Sequence, residues 1–378
     1  MPLAAREPVA DIDSAMTKYS IYSRCHTRCS NNLPRRFELR RDNKPLYELS
    51  SDNGEHVSKI DFTHRVAVVT GAGGGLGRDY ALQLAARGAA VVVNDLGATT
   101  TGSGQDKAPA EAVVRSIVDS GGWATASYDS VATRAGAEAI VAAAMDHFGR
   151  IDVVVNNAGN QRNGRIEQLS DEDFDEVLAV HLNGAFYVSQ AAYKQMIKQR
   201  YGRLIFTSSA SGVFGNYIRA NYAAAKAGLI GLMHSFALEG AYAGVLANAL
   251  LPTAASRLGQ APAHAILPEW EAFQPEKVPG IERIGAKIRA EYVTPLVLYL
   301  ASERCTSSHG MWSATGGRYA RAFVGVTRGW LGPSGRPPTP EEIAANLAQI
   351  EDRGGFTEPH TVAAELADVA RISIERGA

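Results

Sequence analysis

A chain of 378 residues, 46% of them hydrophobic, holds one large α/β domain with extensions, or two modest domains, around a packed core. Its 38 basic and 39 acidic residues leave a net charge of -1, so no electrostatic footprint points to nucleic acid or an anionic membrane as partner. Three cysteines make no disulfide framework and fit a reducing compartment, and no apolar run of about 18 residues predicts a membrane span.

Residues 1–60 mix arginines and acids with Ser, Asn and Pro and carry no sustained apolar periodicity, so they read as an extension that need not pack. Met16 is an alternative start, and Cys25, His26 and Cys29 lack the second pair that a metal hook requires. The N-terminus has no apolar signal core, and Arg376-Gly377-Ala378 is no peroxisomal address; the expectation is a cytoplasmic protein.

From residue 61 the pattern changes. Short apolar runs at 66–70, 90–94, 124–128, 152–156, 203–208, 245–251 and 310–315 are rich in Val, Ile and Leu without alternation, as strands buried on both faces are. Helices are predicted between them at 78–87, 110–120, 135–148, 171–199 and 222–240, the fourth opened by Ser170 and Asp173 in the manner of a capping box. Repeated strand–helix–strand units with right-handed crossovers give a Rossmann-type doubly wound parallel sheet of about seven strands, with ligands at the carboxyl ends of the strands. The catalytic domain is therefore expected at 61–317. A C-terminal extension at 318–378 carries Pro333, Pro337, Pro338 and Pro340 and a helix from Glu341 to about Ile350. It is open to three readings: a cap over the site, an arm to a neighbouring subunit, or a surface appendage.

The first strand runs into Gly71-Ala72-Gly73-Gly74-Gly75-Leu76-Gly77. Five glycines in seven residues let the backbone turn sharply and approach a pyrophosphate at the N-terminus of the next helix. The second strand ends in Asp95, an acid about 20 residues further on, which accepts from the ribose hydroxyls of NAD and repels the extra phosphate of NADP. No Lys or Arg lies among Ala72, Gly73, Gly74 and Gly75 or just after Asp95 to receive that phosphate, so NAD is the expected cofactor. Asp129, ending the third strand, is placed for the adenine amino group, and Asn156-Asn157-Ala158-Gly159, ending the fourth, for a turn beneath the riboses.

Tyr222 and Lys226 are four residues apart on a predicted helix and share a face. Ser209 ends the fifth strand. A phenol near its ordinary pKa of about 10 is a poor base at neutral pH, and an ammonium beside it, with a positive nicotinamide ring, favours the phenolate. Ser209 then holds a substrate oxygen, Tyr222 exchanges its proton, Lys226 also binds the nicotinamide ribose, and Asn183 on the long fourth helix anchors a water linking Lys226 to solvent. The nine histidines form no cluster near these motifs, so no metal is expected.

Thr70-Gly71-x-x-x-Gly75-x-Gly77, Asn156-Asn157-Ala158-Gly159, Asn183, Ser209 and Tyr222-x-x-x-Lys226 together resemble the signature of the classical short-chain dehydrogenase/reductase family. Stretches 69–78, 91–97, 128–131, 149–159, 201–215 and 291–298 are similar to the (3R)-hydroxyacyl-CoA dehydrogenase units of peroxisomal multifunctional enzymes of type 2. The likeness runs from about residue 61 to about residue 352. It implies oxidation of a (3R)-hydroxyacyl-CoA to the 3-ketoacyl form in fatty acid β-oxidation, with a steroid 17β-alcohol or another secondary alcohol as the alternative substrate, and a homodimer or homotetramer. It assigns cofactor contacts to Gly71, Gly75, Leu76, Gly77, Asp95, Asp129, Ser130, Asn157, Ala158, Gly159, Tyr222, Lys226 and Pro252, and catalysis to Asn183, Ser209, Tyr222 and Lys226. The usual Pro-Gly after the sixth strand is Pro252-Thr253 here, with Ser256 still able to take the carboxamide position. The lid region 254–290 resembles the subgroup poorly. No hydratase-like segment follows, so a hydratase is expected on a separate chain. A catalytically silent nucleotide-binding protein is the competing class, and the full set of four catalytic positions argues against it.

Overall fold

The computed structural model describes residues 59–255 and 282–375. Apart from isolated turns, strand and helix alternate as β1 (Val66–Thr70), α1 (Gly75–Ala85), β2 (Ala90–Asn94), α2 (Ala108–Asp119), β3 (Trp123–Ser127), α3 (Arg134–Phe148) and β4 (Val153–Asn156). There follow α4 (Asp171–Leu178), α5 (Gly184–Gln199), β5 (Gly202–Thr207), α6 (Ala210–Phe214), α7 (Ala220–Gly240), β6 (Val245–Thr253), α8 (Thr294–Ala301), β7 (Gly310–Thr315) and β8 (Arg318–Ala322).

The strands stand in the order β3-β2-β1-β4-β5-β6-β7-β8. Val68 of β1 is flanked by Val92 of β2 and Val154 of β4, and every residue of β1, β2, β4 and β5 is buried. Helices cover both faces, which is why these segments read as unbroken apolar runs. One face packs on Tyr80, Leu84, Val113 and Ile117 of α1 and α2, the other on Ile140, Val188 and Met233 of α3, α5 and α7. Each buried Val or Leu adds about 1.5–3 kcal/mol, so the sheet is a rigid platform for the loops at its edge. Strand order reverses between β1 and β4, and a crevice opens there at the carboxyl ends.

Several features depart from expectation. Seven strands are parallel as predicted, but β8 adds an eighth, antiparallel to β7, through a turn at Gly316 and Gly317 (φ 60° and 84°). The sheet therefore crosses the boundary expected at residue 317. The expected helix 171–199 is two helices separated by a π-helical turn at Ala179–Asn183, a device that recurs at functional sites. Its predicted start holds, with Ser170 Oγ accepting from the Asp173 amide at 3.1 Å.

Beyond the sheet, Val326–Thr327 pairs with Phe356–Thr357, and the helix expected from Glu341 is two short ones, Pro340–Ala345 and Leu347–Ile350, the first opened by a Thr339–Glu342 capping box. A further helix, α9 (Val362–Glu375), has no predicted counterpart. No described helix is long and apolar enough to cross a membrane. Residues 1–58 with Cys25, His26 and Cys29, residues 256–281 with Ser256 and most of the expected lid, and residues 376–378 lie outside the described part.

Candidate active site

The crevice has a volume of about 360 Å³ and is lined from the ends of β1, β2, β3, β4, β5 and β6. Its first wall is the glycine turn. Gly71 adopts φ 63°, and a Cβ there would lie 2.8 Å from the Ala158 Cα. Gly77 lies beneath the turn rather than in the lining, and a Cβ on it would meet the Gly71 carbonyl oxygen at 2.2 Å. Beside Gly75 (φ 54°) a Cβ would meet nothing within 4 Å, so the turn presents bare backbone to open space, as a pyrophosphate cradle requires. The Asn156–Gly159 turn is tied to this one. Thr70 Oγ1 accepts from the amides of Asn157 and Ala158, both at 3.0 Å, and Asn157 Nδ2 donates to the carbonyls of Thr70 and Gly71 at 3.0 and 3.2 Å.

That packing makes Gly77→Ala a test of the cradle. The added methyl forces the Gly71 carbonyl aside, and overpacking of this kind costs about 1–3 kcal/mol. Dinucleotide affinity measured by calorimetry is expected to fall about tenfold or more, with a lower Tm. Unchanged affinity would remove the turn from the binding site.

Asp95 sits at the crevice with both carboxylate oxygens engaged. Oδ2 accepts from the Gly73 amide and Oδ1 from the Gly97 amide, each at 2.7 Å. The acid thus braces the glycine turn as well as facing the cavity, and its remaining lone pairs stay available to hydroxyl donors. Asp129 is held by Ser127 Oγ at 3.0 Å, and Asn94 Nδ2 donates to its carbonyl at 2.9 Å. Ser130, Leu76 and Pro252 also line the crevice.

On the opposite wall, Ser209, two residues past the end of β5, caps α6 by accepting from the Ser211 amide at 3.1 Å and lines the crevice with Tyr222. Tyr222 and Lys226 share one face of α7, with Lys226 Nζ 5.4 Å from the centroid of the Tyr222 ring. Burial is the largest influence on Tyr222 and raises its pKa; the Ser209 hydroxyl and the charge of Arg219 pull it down. Lys226 is not among these influences, and the acidification expected of it together with a nicotinamide ring belongs to the bound state. The Lys226 ammonium turns to the Thr207 carbonyl, and burial lowers its own pKa to about 7.

Asn183 is a correction. It is exposed and lines no part of the crevice, whereas His181, two residues earlier, is buried against Tyr222 with ring centroids 5.2 Å apart, edge to face. Val177, His181, Ala185 and Val188 form the inward stripe of α4, the π turn and α5, and a position two residues from His181 points about 200° away round a helix. That spacing was the available signal. The Asn160 amide donates to His181 Nε2 at 3.1 Å, and burial followed by the Lys226 charge lowers the ring's pKa to about 3, so it stays neutral. His181 Nδ1 and Asn156 Oδ1 have no hydrogen-bond partner among the described residues, and His181, Asn156 and Lys226 border a cavity of about 10 Å³, room for one water. Arg219, which no motif marks, also lines the crevice.

The fold and this arrangement define an oxidoreductase of the nucleotide-binding α/β type. A family model described as short chain dehydrogenase matches residues 65–257, and the chain belongs to that family. A short-chain type dehydrogenase/reductase of Mycobacterium tuberculosis is 45% identical over 295 residues, covering 77% of this chain and 95% of that protein. Peroxisomal multifunctional enzyme type 2 of mouse is 42% identical over 322 residues, 83% of this chain; the chain spans only 40% of that enzyme's length. The solved structure of full-length peroxisomal multifunctional enzyme type 2 from Drosophila melanogaster superposes with a TM-score of 0.67 at 32% identity, covering 84% of this chain and 50% of that one.

Proposed function

We propose that the protein oxidises a (3R)-hydroxyacyl-CoA to the 3-ketoacyl-CoA with NAD as acceptor. The observation that carries this reading is that Ser209, Tyr222 and Lys226 line one crevice whose other wall is the glycine turn and Asp95. Likeness to the type 2 multifunctional enzymes supports the acyl thioester as substrate. Gly71, Gly75, Asp95, Asp129 and the Asn157–Gly159 backbone would hold the dinucleotide. When bound, its nicotinamide accepts the hydride, so each turnover yields one ketone, one reduced cofactor and one proton. Ser209 and Tyr222 hold the alcohol oxygen, Tyr222 takes its proton, and Lys226 binds a ribose hydroxyl. A water held in the small cavity bordered by His181, Asn156 and Lys226 would give Lys226 a partner for exchanging protons, the part expected of Asn183.

A panel of hydroxyacyl-CoA thioesters and steroid 17β-alcohols with NAD and NADP, followed by NADH or NADPH absorbance, tests this. The thioester with NAD is expected to give the highest kcat/KM; a steroid turned over faster than every thioester would reject the substrate. Cofactor choice is tested by Asp95→Asn, which keeps an acceptor for the Gly73 amide and removes the charge. A like-charge contact costs several kcal/mol. The variant's NAD-to-NADP preference in kcat/KM should therefore shrink about tenfold or more, and an unaltered ratio would show that Asp95 does not discriminate.

A further inference from the structure

Arg219 is the charged residue of the crevice that the reading above leaves without a task. It lines the cavity with Ser209 and Tyr222 and lies one helical turn before Tyr222, at the N-terminal boundary of α7. Two costs accompany that placement. A cation at the N-terminus of a 21-residue helix adds to the positive end of the backbone dipole, where stability favours an anion. The residue before it, Ile218, is buried and holds φ 54°, a left-handed conformation that a β-branched side chain avoids. Its carbonyl accepts from the Gly164 amide at 3.0 Å, which fixes the bend. Strain maintained beside an active crevice is a mark of positioning for a ligand. The side chain so placed is half-buried, and its charge bears on Tyr222.

We propose that Arg219 determines specificity by binding the thioester carbonyl oxygen of a 3-hydroxyacyl substrate while Ser209 and Tyr222 hold the alcohol oxygen two carbons away. The inference rests on the function proposed above and deepens it. A guanidinium offers five donors and accepts nothing, so it selects a second electron-rich oxygen at a fixed offset from the reacting carbon. An alcohol that lacks this oxygen forgoes that hydrogen bond, and sites built to hydrogen-bond a substrate reject analogues missing the partner. No bond to Arg219 forms or breaks in the reaction; it holds the substrate and orients C3.

The test measures kcat and KM across pH for the wild type, Arg219→Gln and Arg219→Lys, with a (3R)-hydroxyacyl-CoA and, in reverse, the 3-ketoacyl-CoA. Arg219→Gln is expected to raise the thioester KM and lower kcat/KM about 10- to 100-fold, the range for a hydrogen bond to a charged group. KM for NAD should stay in place, with Arg219→Lys intermediate for the thioester; the Tyr222 inflection should rise modestly in Arg219→Gln, where the charge that lowers its pKa is gone, and hold in Arg219→Lys. An inflection moved to higher pH with KM unchanged would instead assign Arg219 to tuning Tyr222 and overturn the proposal, as would an unaltered thioester KM. A wild type inactive on every thioester but active on another alcohol ends the substrate reading itself, a result separable from any outcome in the variants.

Discussion

Tyr222→Phe is expected to lower kcat by about 10²- to 10⁴-fold, the contribution of a positioned general acid–base group, while dinucleotide affinity stays within about twofold. The phenol oxygen is the only atom removed. The ring, its edge-to-face contact with His181 and the helix beneath it remain, so the substitution separates proton transfer from packing. The pH dependence follows from the same site. Burial raises the Tyr222 pKa, so the phenol is protonated at neutral pH in the cofactor-free crevice and is ready to donate. Ketone reduction uses that form, and alcohol oxidation needs the phenolate. Oxidation by the wild type should therefore accelerate with rising pH and reduction should slow. In Tyr222→Phe the residual oxidation should lose the steep part of this dependence. Steady-state rates in both directions across pH, with calorimetric titration of NAD, check each point. A variant that retains wild-type kcat would remove Tyr222 from the chemistry.

What was legible in the chain follows from how local each signal is. Val66–Thr70 running into the glycine turn, Asp95 at the end of the next strand, and Tyr222 with Lys226 on one helical face depend on spacing along single elements, and the structure gathers them at one crevice. Asn183 failed because motif order alone placed it. The inward stripe of Val177, His181, Ala185 and Val188, read by its period, selects the histidine. Other features depend on tertiary context that no local pattern encodes. The position of Arg219 rests on the left-handed backbone of Ile218, which a β-branched residue does not advertise. The burial that raises Tyr222 and lowers Lys226 comes from the Thr207, Asn156 and His181 segments closing round them, which no spacing along one helix encodes. The eighth strand was hidden because Arg318–Ala322 is only partly buried and carries charge, as an edge strand does.

Lys226→Met is expected to make the cofactor-free protein more stable while removing most of its activity. Lys226 is 4% exposed, and burial alone lowers its pKa from the ordinary 10.5 to about 7. At and below pH 7 the folded protein carries a charge that the unfolded chain accommodates far more easily, a cost on the order of 5 kcal/mol. The sign is fixed by proton binding. Between pH 7 and 10.5 the unfolded state holds the extra proton, so wild-type stability rises with pH through that window, and the penalty disappears above it. Methionine matches the stem and adapts to the space, although the Thr207 carbonyl loses its donor, at about 1–3 kcal/mol. A net gain of roughly 2–4 kcal/mol remains at pH 7, a rise of several degrees in Tm, narrowing as the buffer approaches pH 10. Turnover should fall about 10²-fold or more, because the group that binds the ribose hydroxyl and exchanges protons beside Tyr222 is gone. Calorimetric melts at several pH values, paired with rates, decide the matter: a lower Tm at pH 7, or a gap that ignores pH, would contradict it. The two effects share one cause. An ammonium removed from water destabilises the fold, and the same removal brings its proton affinity near neutrality, where it can be gained and released during turnover.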